Sequence, residues 1–279
     1  MARYAMVIDV SRCNGCYNCF LACRDEFAGN DYLPWSVAQP ESGHRWIDVR
    51  EVERGIYPKV KVSYIPRPCM HCEEAGCIGP EAQGAVFRRP DGIVIIDPAK
   101  SKGLKTLSDS CPYGAIYWNE EKNLPQKCTF CAHLLDLGWK EPRCVEACPT
   151  GALIFGDLED PESGISQRWP SGELEDLHPE FGARPLVRYV GLPKTFIAGE
   201  VVLGDRMEEC AQGIKVTVIS GSQELSIETD NFGDFEFEGL EGDKEYRLVI
   251  EQEGYARREL QVSTRADLNL GEIPLKPLG

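Results

Sequence analysis

The sequence feature that most constrains this chain is the cysteine run at residues 13–23, with the spacing C-x2-C-x2-C-x3-C. In such a loop, three thiolates hold three irons of a cubane [4Fe–4S] cluster, and the fourth cysteine ligates a neighbouring cluster. Gly15 allows the backbone to approach the inorganic sulfurs closely. Residues 16–27 then predict a short helix with Phe20, Leu21 and Phe27 on one side.

The remaining cysteines form incomplete copies of this run. A second copy has three cysteines, and its fourth position is Glu81. A third copy keeps only its last cysteine, because Ser101, Leu104 and Leu107 occupy its other positions. A fourth copy, at residues 128–148, has all four cysteines but a twelve-residue spacer inside it.

Paired runs give three ligands to their own cluster and one to the partner cluster. Pairing the first run with the fourth, and the second with the third, predicts three complete sets. Cluster 1 takes Cys13, Cys16, Cys19 and Cys148; cluster 2 takes Cys23, Cys128, Cys131 and Cys144; cluster 3 takes Cys69, Cys72, Cys77 and Cys111. All four vacancies then fall on one fourth site, at Glu81, Ser101, Leu104 and Leu107. We therefore expect three [4Fe–4S] clusters and an apolar plug in the fourth place.

Two alternatives to this assignment of three [4Fe–4S] clusters remain. Glu81 and Ser101 could act as oxygen ligands of an unusual fourth cluster, although two leucines cannot ligate anything. The twelve cysteines could instead form three zinc sites of four thiolates in a binding protein. The crowded first run argues against zinc, because zinc sites use two-plus-two spacing.

Charge and hydropathy exclude several classes of protein. The 279 residues carry a formal net charge of −15, which disfavours nucleic acid and anionic membrane surfaces as partners. No apolar stretch is long enough to span a bilayer. The N-terminus has no apolar signal segment, so we expect a cytoplasmic protein whose cysteines are metal ligands and not disulfides. A twin-arginine signal on a partner would allow export.

Three polar residues lie beside ligand cysteines: His71, Lys127 and Arg143. Each is either an ordinary polar residue or a group that tunes a cluster potential by charge or hydrogen bonding. Cys210 lies far from the runs and is expected to be a free buried thiol. We predict no catalytic residue in this chain.

The pattern predicts an α+β protein in three segments. Residues 1–156 form two paired modules, residues 1–28 with 127–156 and residues 58–126, which include a hairpin at 85–97. Residues 157–194 are rich in proline, glycine and acids and predict an extended wrapping linker. Residues 195–279 predict an all-β sandwich or barrel. Its seven expected strands are 196–203, 214–220, 225–229, 235–237, 246–252, 259–262 and 268–274.

The cysteine runs over residues 1–195 resemble the iron–sulfur subunits of the dimethyl sulfoxide reductase family of molybdopterin enzymes. The sequences at 111–115, 127–131 and 144–152 carry this resemblance. It implies two bacterial-ferredoxin-like modules and usually four clusters, from which this chain departs at residues 81, 101, 104 and 107. Residues 233–240 and 253–255 resemble a carboxypeptidase-regulatory-like, transthyretin-like β-sandwich.

Within that family, three clusters plus a C-terminal β domain resemble the small subunits of pyrogallol–phloroglucinol transhydroxylases. The resemblance implies a heterodimer with a large catalytic subunit that holds molybdenum and a bis-guanine-dinucleotide pterin and handles polyphenols in an anaerobe. The alternative is an electron-transfer subunit of an anaerobic respiratory reductase docked to a membrane anchor. The missing fourth cluster and the extra β domain argue against that alternative.

Overall fold

The computed structural model describes residues 2–278. The chain folds into two compact units. The first contains residues 2–52 and 63–192, and the second contains residues 53–62 and 193–278.

The first unit is built from short elements. Its strands are β1 (Tyr4–Asp9), β2 (Ile47–Ile56), β3 (Lys59–Pro68), β4 (Val86–Arg88), β5 (Val94–Ile96), β6 (Tyr117–Asn119), β7 (Leu124–Gln126), β8 (Leu153–Asp157) and β9 (Val187–Val190). Its helices are α1 (Asn18–Phe27), α2 (Ala132–Asp136), α3 (Arg143–Glu146) and α4 (Gly164–Arg168). Short 3-10 helices occur at Val10–Arg12, Pro80–Ala82, Lys105–Asp109 and Pro179–Phe181. Strands β2 and β3 form a hairpin whose tip, residues 53–62, belongs to the second unit.

Strand β1 is the centre of the first unit. It pairs antiparallel with β8, where Ile8 lies opposite Leu153, and parallel with β9, where Val7 lies opposite Arg188. Ala5 to Ile8 are fully buried, because side chains on both faces of the strand are covered. The pairing with β8, and the packing of α1 against α3, bring the first and fourth cysteine runs together. The β4–β5 hairpin lies where the sequence predicts it.

Residues 157–194 do not form the extended linker that their composition predicts. Residues up to 192 fold into the first unit. Strand β9 completes the central sheet beside β1, and Ile165 of α4 is fully buried in a small core with Ala5 and Val7. The sequence does not reveal β9, because the strand is only four residues long, its partner strand is distant in sequence, and the residues around it are rich in proline and acids.

The second unit contains seven strands beside the hairpin tip. They are β10 (Thr195–Leu203), β11 (Lys215–Ser220), β12 (Gln223–Glu228), β13 (Asp234–Leu240), β14 (Glu245–Glu251), β15 (Arg258–Ser263) and β16 (Leu268–Leu275). Each expected strand is present within three residues of its predicted ends. One sheet has the order β13-β10-β16 and the other β12-β11-β14-β15.

Both sheets contribute to a single apolar core in this unit. Ile197 and Val201 from the first sheet lie in the same cluster as Val216, Leu248 and Ile250 from the second. Alternating side chains from two facing sheets produce a sandwich core of this kind. Arg54 and Lys61 of the hairpin tip pair with Asp267 and Glu236, respectively. No helix within residues 2–278 is long and apolar enough to cross a membrane.

Candidate metal centres

The first group of thiols lies between the 3-10 helix at Val10–Arg12 and α1. Cys13, Cys16 and Cys19 come from this loop, and Cys148 follows α3. Burial raises the pKa of Cys13, and the nearby Cys148 and Cys16 raise it further. Burial, together with repulsion from Cys13, Cys148 and Cys16, raises the pKa of Cys19 to about 12. The four thiols of the predicted cluster 1 therefore lie near one another, and Cys16 is exposed.

Two features of the first thiol group add to the sequence interpretation. Gly15 has a φ of +69°, and a Cβ there would lie 2.6 Å from the ring of Tyr64, so both the turn and the packing require glycine. Burial would raise the pKa of Cys148, but hydrogen bonds from the backbone of Leu153 and from the Thr150 hydroxyl lower it overall. Donors of this kind favour a thiolate.

The second group, Cys23, Cys128, Cys131 and Cys144, is entirely buried. Burial raises the pKa of Cys23 and of Cys144 well above the usual value, and repulsion from Cys128 and Cys131 adds to both shifts. Burial also raises the pKa of Cys128 to about 11. The amide of Gln39 lies 3.9 Å from the sulfur of Cys23, a contact that sequence spacing could not reveal.

The third group consists of Cys69, Cys72, Cys77 and Cys111, which line one cavity. Burial raises the pKa of Cys72 to about 12, and repulsion from Cys69, Cys111 and Cys77 contributes. Cys69 is buried and the other three thiols are partly buried, and four thiolates this close together are costly unless cations lie between them.

Two buried polar side chains, His71 and Lys127, line the same cavity. His71 Nδ1 accepts a hydrogen bond from the Val94 amide at 3.0 Å, whereas its Nε2 has no partner. Lys127 Nζ donates to the carbonyl oxygens of Val94 and Cys128. An unpartnered buried N–H and a buried ammonium group are both unfavourable. The N–H donor and the cation fit a group with acceptor sulfurs that is negative overall once four thiolates ligate it, as a [4Fe–4S] cluster would be.

The three groups follow one another in space. Cys19 of the first group contributes repulsion at Cys23 and Cys144 of the second. Cys69 of the third group lies close to Cys128 of the second, and its backbone amide hydrogen-bonds the Cys128 sulfur. The second group is therefore the middle one.

The fourth predicted position contains an apolar core. Leu107 is 1% exposed and packs with Val86, Val94 and Ile96, and Leu104 packs against the same cluster. Ser101 is buried with no hydrogen-bond partner for its hydroxyl, and Glu81 is exposed on the 3-10 helix at Pro80–Ala82.

Other candidate residues have different surroundings. Arg143 forms ion pairs with Glu26 and Glu146. Glu26 also contacts His133 Nε2 at 3.0 Å, an interaction that no spacing signal predicts. Cys210 is free, as expected, but the expectation that it is buried is wrong. It is exposed in the turn region that follows β10. Among residues 2–278, no three His, Cys, Asp or Glu side chains are grouped to hold a single metal ion.

Comparison with known proteins identifies the family. A model of the 4Fe-4S dicluster domain matches residues 60–158. The pyrogallol hydroxytransferase small subunit of Pelobacter acidigallici is 43% identical over 283 residues, which cover 99% of this chain and 100% of that protein. The chain belongs to this family of iron–sulfur electron-transfer subunits.

More distant members of the family are subunits of reductases and dehydrogenases. A tetrathionate reductase subunit of Salmonella typhimurium is 36% identical over 70% of this chain and 75% of its own length. A sulfite dehydrogenase subunit of Allochromatium vinosum is 34% identical over 70% of this chain and 85% of its own length. The family match therefore agrees with the resemblance deduced from the cysteine runs.

Proposed function

We propose that this chain holds three [4Fe–4S] clusters for a molybdopterin-containing catalytic partner, as the small subunit of a pyrogallol–phloroglucinol transhydroxylase. One observation carries the cluster count. Twelve cysteines form three spatial groups of four, whereas the place of a fourth group contains Leu104 and Leu107 in an apolar core.

The proposed ligand sets follow from those groups. Cluster 1 uses Cys13, Cys16, Cys19 and Cys148; cluster 2 uses Cys23, Cys128, Cys131 and Cys144; cluster 3 uses Cys69, Cys72, Cys77 and Cys111. Such clusters supply one-electron redox chemistry when bound. The protein would fix their spacing, exclude water from the middle group and place donors such as Thr150 near the sulfurs.

The proposed partner is a large subunit with molybdenum and a bis-guanine-dinucleotide pterin, in a cytoplasmic heterodimer. The match to the pyrogallol hydroxytransferase small subunit supports this, because it extends over 99% of the chain and so includes the second unit. We propose that this unit is a transthyretin-like sandwich with an interaction role and no catalytic one.

The alternative is a subunit of a respiratory reductase. The 36% identity to the tetrathionate reductase relative supports it. That match covers only 70% of the chain, so it accounts for less of the molecule than the transhydroxylase relative does.

The test is to measure iron, acid-labile sulfide and molybdenum in the complex purified without oxygen. We expect about 12 iron and about 12 sulfide per chain, together with molybdenum in the copurified partner. About 16 iron would mean that Glu81 or Ser101 helps to hold a fourth cluster. Zinc without iron would instead support the zinc-binding class. Quinone-linked electron exchange would favour the respiratory alternative.

Because transhydroxylation is redox-neutral overall, the clusters could serve as a relay or as structure. A Cys128→Ser variant separates these roles, since Cys128 belongs to the middle group. Loss of turnover in a fully assembled complex would support a relay, whereas full turnover would support a structural role.

A further inference from the structure

Lys127 is unusual among the basic residues of the chain. It is the one lysine or arginine within residues 2–278 that is buried, with 2% of its surface exposed. No carboxylate in that range lies within ion-pair distance of it, and its ammonium group donates only to two backbone carbonyls. A buried cation without a counter-ion is costly, so the site is suited to a group that is negative overall, as a cluster together with its four thiolate ligands would be.

The position of this cation is specific. Lys127 lines the cavity of the third thiol group, and it also precedes Cys128 of the second group. Its Nζ donates to the carbonyl oxygen of Cys128, a residue of the second group, while its side chain lines the cavity of the third group. Lys127 therefore lies between the second and third groups and acts on both.

His71 supplies a second donor to the same cavity. Its Nδ1 accepts the Val94 amide, which leaves the proton of a neutral ring on Nε2. That nitrogen is buried without a partner, and the ring packs against Phe130 with 3.8 Å between centroids. The backbone carbonyl of Val94 binds Lys127, so the amide and carbonyl of one residue hold both groups in place.

We propose that Lys127 and His71 are positioning residues that set the reduction potential of the cluster held by Cys69, Cys72, Cys77 and Cys111. This inference rests on the proposed function, because it requires that cluster. One-electron reduction changes the charge of a thiolate-ligated [4Fe–4S] site from about −2 to about −3, with no bond broken and no proton moved. A fixed ammonium group and an N–H donor stabilise the more negative state, and so raise the potential.

Arg143 provides a matched comparison within the chain. It also lies beside a ligand cysteine, but Glu26 and Glu146 pair with its guanidinium group. These two carboxylates largely neutralise the charge of the guanidinium group. We therefore expect Lys127, and not Arg143, to control a cluster potential.

The experiment is a redox titration of the anaerobically purified complex, followed by electron paramagnetic resonance, with dithionite as reductant. The variants are Lys127→Met, Lys127→Arg and the control Arg143→Gln. We expect Lys127→Met to lower the midpoint potential of the third cluster most and that of the second less. Lys127→Arg keeps the positive charge, so its potentials should stay close to those of the wild type. Arg143→Gln should change either potential little. The resonance whose potential shifts belongs to the third cluster if it is absent from a Cys111→Ser variant, which lacks a ligand of that cluster.

His71→Asn is the second variant, in case Lys127→Met does not retain its clusters. Asparagine accepts the backbone φ of +44° at this position and removes the ring N–H. It should also lower the third potential. Unchanged potentials in iron-replete variants would overturn this inference and leave the proposed function intact. Wild-type protein without about 12 iron per chain would overturn the proposed function itself.

Discussion

The two units of the chain are stabilised in different ways. The first unit contains four strands of three residues each, β4 to β7, and its longest helix has ten residues. Six of its cysteines, among them Cys23 and Cys144, form part of the buried interior. Its largest core cluster therefore includes thiols that raise one another's pKa values.

The second unit is an ordinary β-core by contrast. Its strands β10 to β16 have six to nine residues, and its core consists of aliphatic and aromatic side chains. Its single cysteine, Cys210, is exposed. The comparison indicates that metal binding contributes to the folding of the first unit, whereas apolar burial is sufficient for the second.

The largest expected effect follows removal of iron. Oxidation and chelation of the clusters should leave the buried thiols of the first unit without the cations between them. We expect hydrogen exchange at the amides of β1 and β8 to accelerate by at least about 100-fold, a loss of about 2.8 kcal/mol. Amides of β10 and β14 should keep their protection. Retained protection in β1 would show that apolar packing alone holds the first unit.

A single ligand substitution tests the same contrast more locally. Cys144→Ser should lower the iron content from about 12 to about 8 per chain, because the middle cluster loses a ligand. Cys210→Ser is the matched control, since this thiol is exposed and outside the groups. It should leave iron and visible absorbance unchanged. Equal losses in both variants would contradict the assignment of Cys144.

The contrast also explains which features the sequence could predict. Seven strands of the second unit follow from alternation and turn residues; for example, Asp230 accepts backbone hydrogen bonds from Phe232 and Asp234 across the turn before β13. The cysteine groups follow from spacing, because β1 and β8 bring the outer runs together as paired modules require.

Other features depend on contacts that no local pattern encodes. Strand β2 carries five charged residues in ten, so alternation of apolar residues does not reveal it. Strand β9 pairs in parallel with β1 from the far end of the first unit. Lys127 is buried with its ammonium group bound to the carbonyl oxygen of Val94, which lies in a hairpin distant in sequence. Arg143 instead pairs with Glu26, and neither contact can be deduced from spacing. Cys210 is exposed although free cysteine is usually buried.

A core substitution in the fourth position should have a more local effect than removal of iron, confined to the surroundings of β4 and β5. Leu107→Ala removes a side chain that is 1% exposed, so we expect a loss of about 2–5 kcal/mol in the first unit. Leu104→Ala should cost less, because Leu104 is only half-buried. Hydrogen exchange in β4 and β5 measures both. Iron content should stay unchanged, and a rise in iron would mean that this core can accept a cluster.

The smallest expected effect lies in the second unit, at Glu200. This residue of β10 lies beside Asp234 of β13 and Glu272 of β16. Burial and then repulsion from these two carboxylates raise the pKa of Glu200 above its usual value. The folded state therefore holds the Glu200 proton more tightly than the unfolded state does. Stability falls as pH rises from the unfolded pKa through the folded one, and the penalty is complete at neutral pH.

Glu200→Gln should accordingly stabilise the second unit at pH 7, by less than about 1 kcal/mol, as expected for like charges on adjacent strands. The gain should disappear near pH 4 and shrink in high salt, since both conditions weaken the repulsion. Exchange of β10 amides in the full chain measures it. Glu224→Gln, on edge strand β12 opposite Ile219, is the control, because no carboxylate lies opposite it on β11. A gain at Glu200 that persists at pH 4 would indicate improved packing and not relief of charge.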